Sequence, residues 1–344
     1  MIELNRYAKK KHLYQLEAEG RRITMRKKVL ITRNLPGKGI ELIRNECELL
    51  IQPPSTDLPR EELLQLIPEA DALICLLSEK IDREVLEKAP QLKVISNYAV
   101  GYNNIDVDLA TKMGIYVTNT PDVLTEATAD LAWALLFAAA RRVVEGDKMV
   151  REGRFTGWAP DLLLGAEVYG KTLGVIGLGR IGEAVAKRAS GFDMKIIYWS
   201  RERKPAAEKR WGLEYRTLEE LLKESDFISL NVALTPETNH LISKREFSLM
   251  KKNAILINTA RGPVIDEEAL VVALKEGQIK AAGLDVFEKE PEIHPGLLTL
   301  SNVVMAPHVG SGTEETRAKM AQMVAENVLI ALKGKKPPHA VNIL

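Results

Sequence analysis

Residues 171–204 read KTLGVIGLGRIGEAVAKRASGFDMKIIYWSRERK. Leu173 to Ile176 is a short apolar run, as expected of a buried strand. Gly177, Gly179 and Gly182 follow as G-x-G-x-x-G, a helical pattern runs from Ile181 to Ser190, and a second strand spans Lys195 to Trp199. Strand, glycines, helix and strand in this order form the βαβ unit that binds a dinucleotide. Gly177 permits the tight turn, Gly179 leaves room for a pyrophosphate, and Gly182 lets helix and strand pack closely. The helix start then offers free N–H groups and a positive dipole end to the phosphates.

Outward from this unit the chain has 344 residues, room for two domains that each bury a core. Forty-eight basic and 47 acidic residues leave +1, so no global field favours nucleic acid or an anionic membrane. Cys47 and Cys75 sit in apolar surroundings without metal-ligand spacing, as buried thiols in a reducing compartment would; no metal site is expected. The longest apolar stretch, Leu131 to Ala140, is half the length a bilayer requires. Residues 1–24 are charged and carry no hydrophobic signal core. They read as a frayed extension, with Met25 a candidate start, and the protein as cytoplasmic.

Strand signals at Lys28 to Arg33, Glu48 to Ile51, Ala72 to Leu76, Lys93 to Asn97 and Ile115 to Val117 alternate with short helical patterns. A parallel sheet covered on both faces follows from that alternation. Pro121 disfavours continued regular structure and marks a boundary. Beyond it lies a long helix, Thr125 to Arg142, capped by Thr125 or its neighbour. After the glycine unit, further strands at Phe227 to Val232, Ala254 to Asn258, Ala281 to Asp285 and Val303 to Ala306 bring that sheet to six. A last amphipathic helix runs from Thr313 to Lys333. The fold class is therefore α/β, with two Rossmann-like parallel-sheet domains. A dinucleotide-binding domain, 122–307, is inserted into a flavodoxin-like substrate domain made of 25–121 and 308–344. Ligand is expected between them, off the carboxyl ends of both sheets.

Three strand-end segments carry polar chemistry: Asn258 to Gly262, Asp285 to Pro291 and Ala306 to Ser311. Hydride addition to a ketone builds negative charge on its oxygen, which calls for a donor titrating near neutrality, such as a histidine. A carboxylate beside the histidine holds its tautomer and favours its protonated form. An arginine forks onto a substrate carboxylate. Alone, each residue reads as structural; together, beside a dinucleotide fingerprint, they read as an NAD(P)-dependent ketone/alcohol oxidoreductase. The pattern alone leaves Glu288 and Glu290 equally eligible.

The motifs VISNYAVGYNNID (94–106), NTPDVLTEATADLA (119–132), LGVIGLGRIG (173–182), ILINTARGPVID (255–266), AAGLDVFEKEP (281–291) and APHVGS (306–311) span nearly all of 28–340. In them the sequence resembles the D-2-hydroxyacid dehydrogenase family, in its glyoxylate/hydroxypyruvate reductase branch. The resemblance implies Arg261 as binder of the substrate carboxylate, Glu290 as partner of the histidine, and His308 as general acid/base. It implies that backbone N–H groups at Val100 and Gly101 help hold the carboxylate and that Leu77 lines the pocket. Gly177, Leu178, Gly179, Arg180 and Ile181 would meet the cofactor's phosphates. Ser200, Arg201 and Glu202 would face its adenosine ribose. Thr259, Ala260, Arg261, Asp285, His308, Val309 and Gly310 would surround the nicotinamide, Asp285 on its carboxamide side.

The expected reaction is reduction of glyoxylate or hydroxypyruvate. The alternatives are another D-2-hydroxyacid dehydrogenase, such as 3-phosphoglycerate dehydrogenase, or a non-catalytic dinucleotide-sensing corepressor. NADP(H) is expected over NAD(H), because Ser200 stands where an NAD site places an acidic residue and Arg201 follows it, with Arg203 or Lys204 adding positive field. The apolar run of the Thr125 helix predicts a homodimer built on it. The resemblance adds that Trp158 reaches toward the partner's pocket.

Overall fold

The computed structural model describes residues 26–344; the 1–24 extension and Met25 lie outside the described residues. The described residues form two compact units, 26–119 with 321–344, and 120–320. The chain thus returns to the first unit within the final helix, Glu314–Leu332, later than the Pro307 region expected from sequence.

The first unit holds β1 (Lys28–Ile31), β2 (Glu48–Leu49), β3 (Ala72–Cys75), β4 (Val94–Asn97) and β5 (Tyr116–Thr118). They pair in parallel in the order β2-β1-β3-β4-β5, the flavodoxin-like doubly wound arrangement. Register places Leu30, Leu73, Ile95 and Val117 in one row across the sheet. That row is buried with Leu63, Ile67, Val85 and Leu86 from the helices on that face. Such runs are apolar without alternation because both faces of a parallel sheet are covered. The C-terminal segment seals the β5 edge: Val341 N–H donates to Val117 O at 2.8 Å, and Val117 N–H donates to Asn342 Oδ1 at 2.9 Å.

The second unit holds β6 (Thr172–Ile176), β7 (Lys195–Trp199), β8 (Glu214–Tyr215), β9 (Phe227–Leu230), β10 (Ile255–Asn258), β11 (Ala281–Leu284) and β12 (Val303–Met305). Their order is β12-β11-β10-β9-β6-β7-β8, all parallel. The strand missed from sequence is β8, whose two residues are too few to make an apolar run. Strand order reverses between β6 and β9, so a crevice opens at the carboxyl end of β6, where the glycines lie. Helices Thr125–Ala140 and Arg180–Ala189 cover one face, joined where Trp133 Nε1 donates to Val185 O at 3.0 Å. Helices Leu218–Glu224, Lys244–Leu249 and Glu267–Lys275 cover the other.

The Thr125 helix differs from expectation in three ways. Leu124, the neighbour of Thr125, occupies its N-cap, but no side chain caps it. It stops at Ala140, and Arg142, at φ 54°, turns the chain into a second helix, Val143–Arg151. Its apolar residues, including Ala132, Trp133, Leu135, Leu136 and Ala139, are buried inside the unit. Intrachain packing therefore accounts for the continuous apolar run. The exposed apolar side chains lie downstream, at Val143, Val144, Val150, Phe155, Trp158, Leu164 and Tyr169.

A buried carboxyl governs the turn after β3. Glu79 Oε2 accepts from Thr32 Oγ1 at 2.8 Å and from Leu76 N–H at 2.7 Å, while Oε1 is buried without a partner among the described residues. Burial pushes its pKa from 4.5 up to about 7, against the pull of those two bonds. Between those values the folded chain keeps a proton that the unfolded chain releases. This carboxyl therefore costs stability as pH rises through that window, at most roughly 3 kcal/mol at 1.36 kcal/mol per unit. Melting temperatures between pH 5 and 8 should fall more steeply for wild type than for Glu79→Gln. Parallel curves would refute the assignment.

Candidate active site

The β6 turn is shaped for a phosphate. Gly177 has φ 93°, and a Cβ there would stand 2.8 Å from backbone of Asn231. A Cβ on Gly182 would fall 2.1 Å from Gly177 O, so helix and turn touch through backbone. At Gly179, the N-cap of helix Arg180–Ala189, a Cβ would meet nothing within 4 Å, which leaves an open cradle before the helix N–H groups. Leu178 is buried in the core, so only its backbone faces a ligand; Arg180 pairs with Asp122. Two polar atoms at neighbouring strand ends, Asn231 Oδ1 after β9 and Thr259 Oγ1 after β10, are buried without a partner among the described residues. Buried polar groups rarely stay unpaired. Cradle and orphaned atoms together fit a dinucleotide lying across the strand ends.

At the end of β7, Ser200 Oγ donates to Glu202 O within its own turn. Arg201 makes no ion pair among the described residues. Arg203 forks onto Glu208 at 2.7 and 2.9 Å, and Lys204 Nζ lies 3.7 Å from Glu202, so the two extra cations named from sequence are already engaged.

The ends of β10, β11 and β12 bring the polar residues together. His308 Nδ1 lies 2.7 Å from Glu290 Oε2, and Phe287 N–H donates to Glu290 Oε1 at 2.9 Å. Burial pushes the Glu290 carboxyl up, but these bonds and the His308 and Arg261 charges outweigh it, leaving its pKa below its usual value. An ionised carboxylate only accepts, so Nδ1 carries a proton and Nε2 remains for exchange with a ligand. Burial lowers the Arg261 pKa, opposed by the Glu290 charge; a guanidinium nonetheless stays cationic. Arg261 Nη1 donates to Ala260 O at 2.7 Å. Glu288, equally eligible from sequence, pairs instead with His240 Nε2 at 3.0 Å.

Asp285, expected on the carboxamide side of a nicotinamide, also holds the loop that follows β12. Its Oδ1 accepts from Val309 N–H and its Oδ2 from Gly310 N–H, both at 2.7 Å, while its carbonyl accepts from His308 N–H at 2.8 Å. His308, at φ 53°, is therefore held in the left-handed region by bonds on both sides. Burial raises the Asp285 pKa against those N–H bonds and the His308 charge. Asn258 opens one of the three strand-end segments but was given no role from sequence: its Nδ2 donates to Arg261 O and its Oδ1 accepts from Ala260 N–H, both at 3.0 Å, which shapes the turn bearing Arg261. A polar residue closing a buried strand was the available signal, at Asn258 and at Asn231 alike.

Leu77, Val100 and Gly101 belong to the first unit. Asn104 Nδ2 donates to Leu76 O and Glu79 O, both at 3.0 Å, and Asn97 Nδ2 donates to Gly101 O at 2.7 Å. The turns after β3 and β4 are thus tied together.

Residues 133–310 match the model of the D-isomer specific 2-hydroxyacid dehydrogenase, NAD binding domain. A glyoxylate reductase of Thermococcus litoralis is 56% identical over 322 residues, 92% of this chain and 97% of that protein. The chain belongs to the D-isomer specific 2-hydroxyacid dehydrogenase family. It is a pyridine-nucleotide-dependent oxidoreductase acting on CH–OH, and it reduces 2-oxoacids to 2-hydroxyacids. Among solved structures, the TT0316 protein of Thermus thermophilus aligns with a TM-score of 0.87 at 47% identity, covering 92% of this chain and all of that one. An NADPH-dependent glyoxylate/hydroxypyruvate reductase of Sinorhizobium meliloti, in complex with NADP and malonate, aligns at 0.81 and 31% identity over 92% and 97% of the two chains. Among the described residues of the enzyme, no helix is long and apolar enough to cross a membrane.

The Asp285 clamp is open to test. Asp285→Ala removes two charge-assisted acceptors worth roughly 1.5–3 kcal/mol each. The variant should melt several degrees lower and lose turnover about tenfold or more. An unchanged melting temperature would show that the clamp does not hold the His308 loop.

Proposed function

We propose that the enzyme reduces glyoxylate or hydroxypyruvate with NADPH in preference to NADH. The observation that carries this reading is the His308–Glu290 pair, 2.7 Å apart, beside Arg261 at the carboxyl edge of a dinucleotide sheet. A nicotinamide held at these strand ends would supply the hydride for C2. Arg261, cationic and half-buried, would fork onto the substrate carboxylate and draw on the carbonyl oxygen. The resemblance carried by 94–106 adds the Val100 and Gly101 N–H groups as donors to a substrate carboxylate, and Leu77 as a pocket residue. His308 Nε2 would give its proton to the oxygen as charge builds there, while Glu290 keeps Nδ1–H in place and stabilises the imidazolium before transfer. This acid–carboxylate pair favours catalysis over a dinucleotide-sensing corepressor. The two reduced, buried thiols Cys47 and Cys75 agree with a cytoplasmic enzyme.

His308→Ala should lose about 10²–10⁴-fold in turnover with cofactor affinity near wild type. Near-normal turnover would remove His308 from its role. Cofactor choice rests on Ser200 and Arg201: the residue at the strand end is a serine and not a carboxylate, and Arg201, whose charge is felt by Glu237, makes no ion pair among the described residues. Measured kcat/KM should favour NADPH, and Ser200→Asp should move the preference toward NADH; an unmoved ratio would exclude this turn as the selector.

The enzyme is further proposed to be a homodimer, through the exposed apolar segment 143–169 in place of the Thr125 helix. Val144, Phe155, Trp158 and Leu164 are more exposed there than an isolated chain needs, Trp158 at 84%. Light scattering at micromolar concentration should give the mass of two chains, and Trp158→Ala should alter the substrate profile if that ring reaches the partner's pocket. A monomer would refute the interface.

A further inference from the structure

Asn119 is the residue at which the chain leaves the first unit, and we propose that it is a positioning residue that aims the Gly101 N–H at the substrate carboxylate. The proposal rests on the reading that the Val100 and Gly101 amides bind that group. Asn119 Nδ2 donates to Val100 O at 2.8 Å. Val100 C=O and Gly101 N–H belong to one trans peptide plane, in which they point in opposite directions. Fixing the carbonyl on the asparagine therefore turns the amide hydrogen away from it. The next peptide is held in the same manner by Asn97 Nδ2, 2.7 Å from Gly101 O. Among the described residues neither Val100 N–H nor Gly101 N–H donates a hydrogen bond, although both residues are half-buried. An oriented, unspent amide donor at Gly101, with a second unspent amide beside it at Val100, suits a half-buried loop to an anion.

Asn119 can hold this geometry because its own backbone is held. Its N–H donates to His339 O at 3.3 Å, and its carbonyl accepts from Asn327 Nδ2 at 3.5 Å. Asn327 Oδ1 in turn lies 3.1 Å from His339 Nδ1, so the last helix and the C-terminal segment brace one residue from two sides. None of this requires Asn119 to touch the substrate. Its role is to fix a peptide plane that does.

The test is steady-state reduction of glyoxylate with saturating NADPH by Asn119→Ala and Asn119→Asp, neither of which can donate to Val100 O. Loss of an aligned bond to a charged group is worth about tenfold or more. KM for glyoxylate should rise by that factor, kcat should change far less, and the NADPH dissociation constant and melting temperature should stay near wild type. Inhibition by oxalate, which carries the carboxylate without a reducible carbonyl, should weaken in parallel. An unchanged glyoxylate KM in both variants, or a common loss of cofactor binding and thermal stability, would overturn the proposal. Gly101→Pro, which deletes the N–H itself, separates the two levels. A raised KM in a folded Gly101→Pro enzyme with normal Asn119 variants would sink only the positioning role. A normal KM in that enzyme would sink the amide reading and the proposal with it.

Discussion

Parallel strand direction is the constraint on which the second unit depends. All seven strands run the same way, so all seven carboxyl ends gather on one edge. Residues from β6, β9, β10, β11 and β12 then become neighbours across more than a hundred positions of sequence. The pleat supplies the direction and the helices supply the cover. An antiparallel strand inserted anywhere would send its strand-end residue to the opposite edge. The chemistry of the site is thus inherited from topology before any side chain is chosen.

Within that frame, precision comes from backbone donors meeting fixed acceptors. Asp285 spends both oxygens on Val309 and Gly310, and Glu290 spends one on Phe287 and one on His308. Asn258 ties both ends of the turn that bears Arg261. A Cβ at Gly262 would overlap the Phe287 carbonyl at 1.9 Å, so the Arg261 turn and the Glu290 turn are packed backbone to backbone. These contacts make the histidine, carboxylate and arginine one unit with little freedom to drift, which is what a proton transfer needs.

The first unit uses the reverse device, with asparagine side chains donating to backbone carbonyls. Asn97, Asn104 and Asn119 donate to the carbonyls of Gly101, Leu76, Glu79 and Val100. An amide side chain that donates to a carbonyl turns the N–H of that peptide the other way. A neutral donor does this without adding charge to the loop, where a carboxylate would add a negative one and could not donate.

Read alone, the sequence determined the α/β class, the glycine turn and its helix, and nearly every strand. Those features are written in local terms: apolar runs, glycine spacing, and proline and capping residues. The resemblance carried by its motifs also supplied Arg261, Glu290 and His308 by position. The tertiary structure decided what depends on distance between residues far apart in the chain. It separated Glu290 from Glu288 by giving the latter to His240, it turned Asp285 into a clamp, and it spent Arg203 on Glu208. It also buried the Thr125 helix inside one chain and left the apolar surface to the segment after it. Local pattern states that a residue is polar at a strand end. Which partner it meets there is set by how the strands are ordered and how the turns between them pack, and no window of sequence contains that.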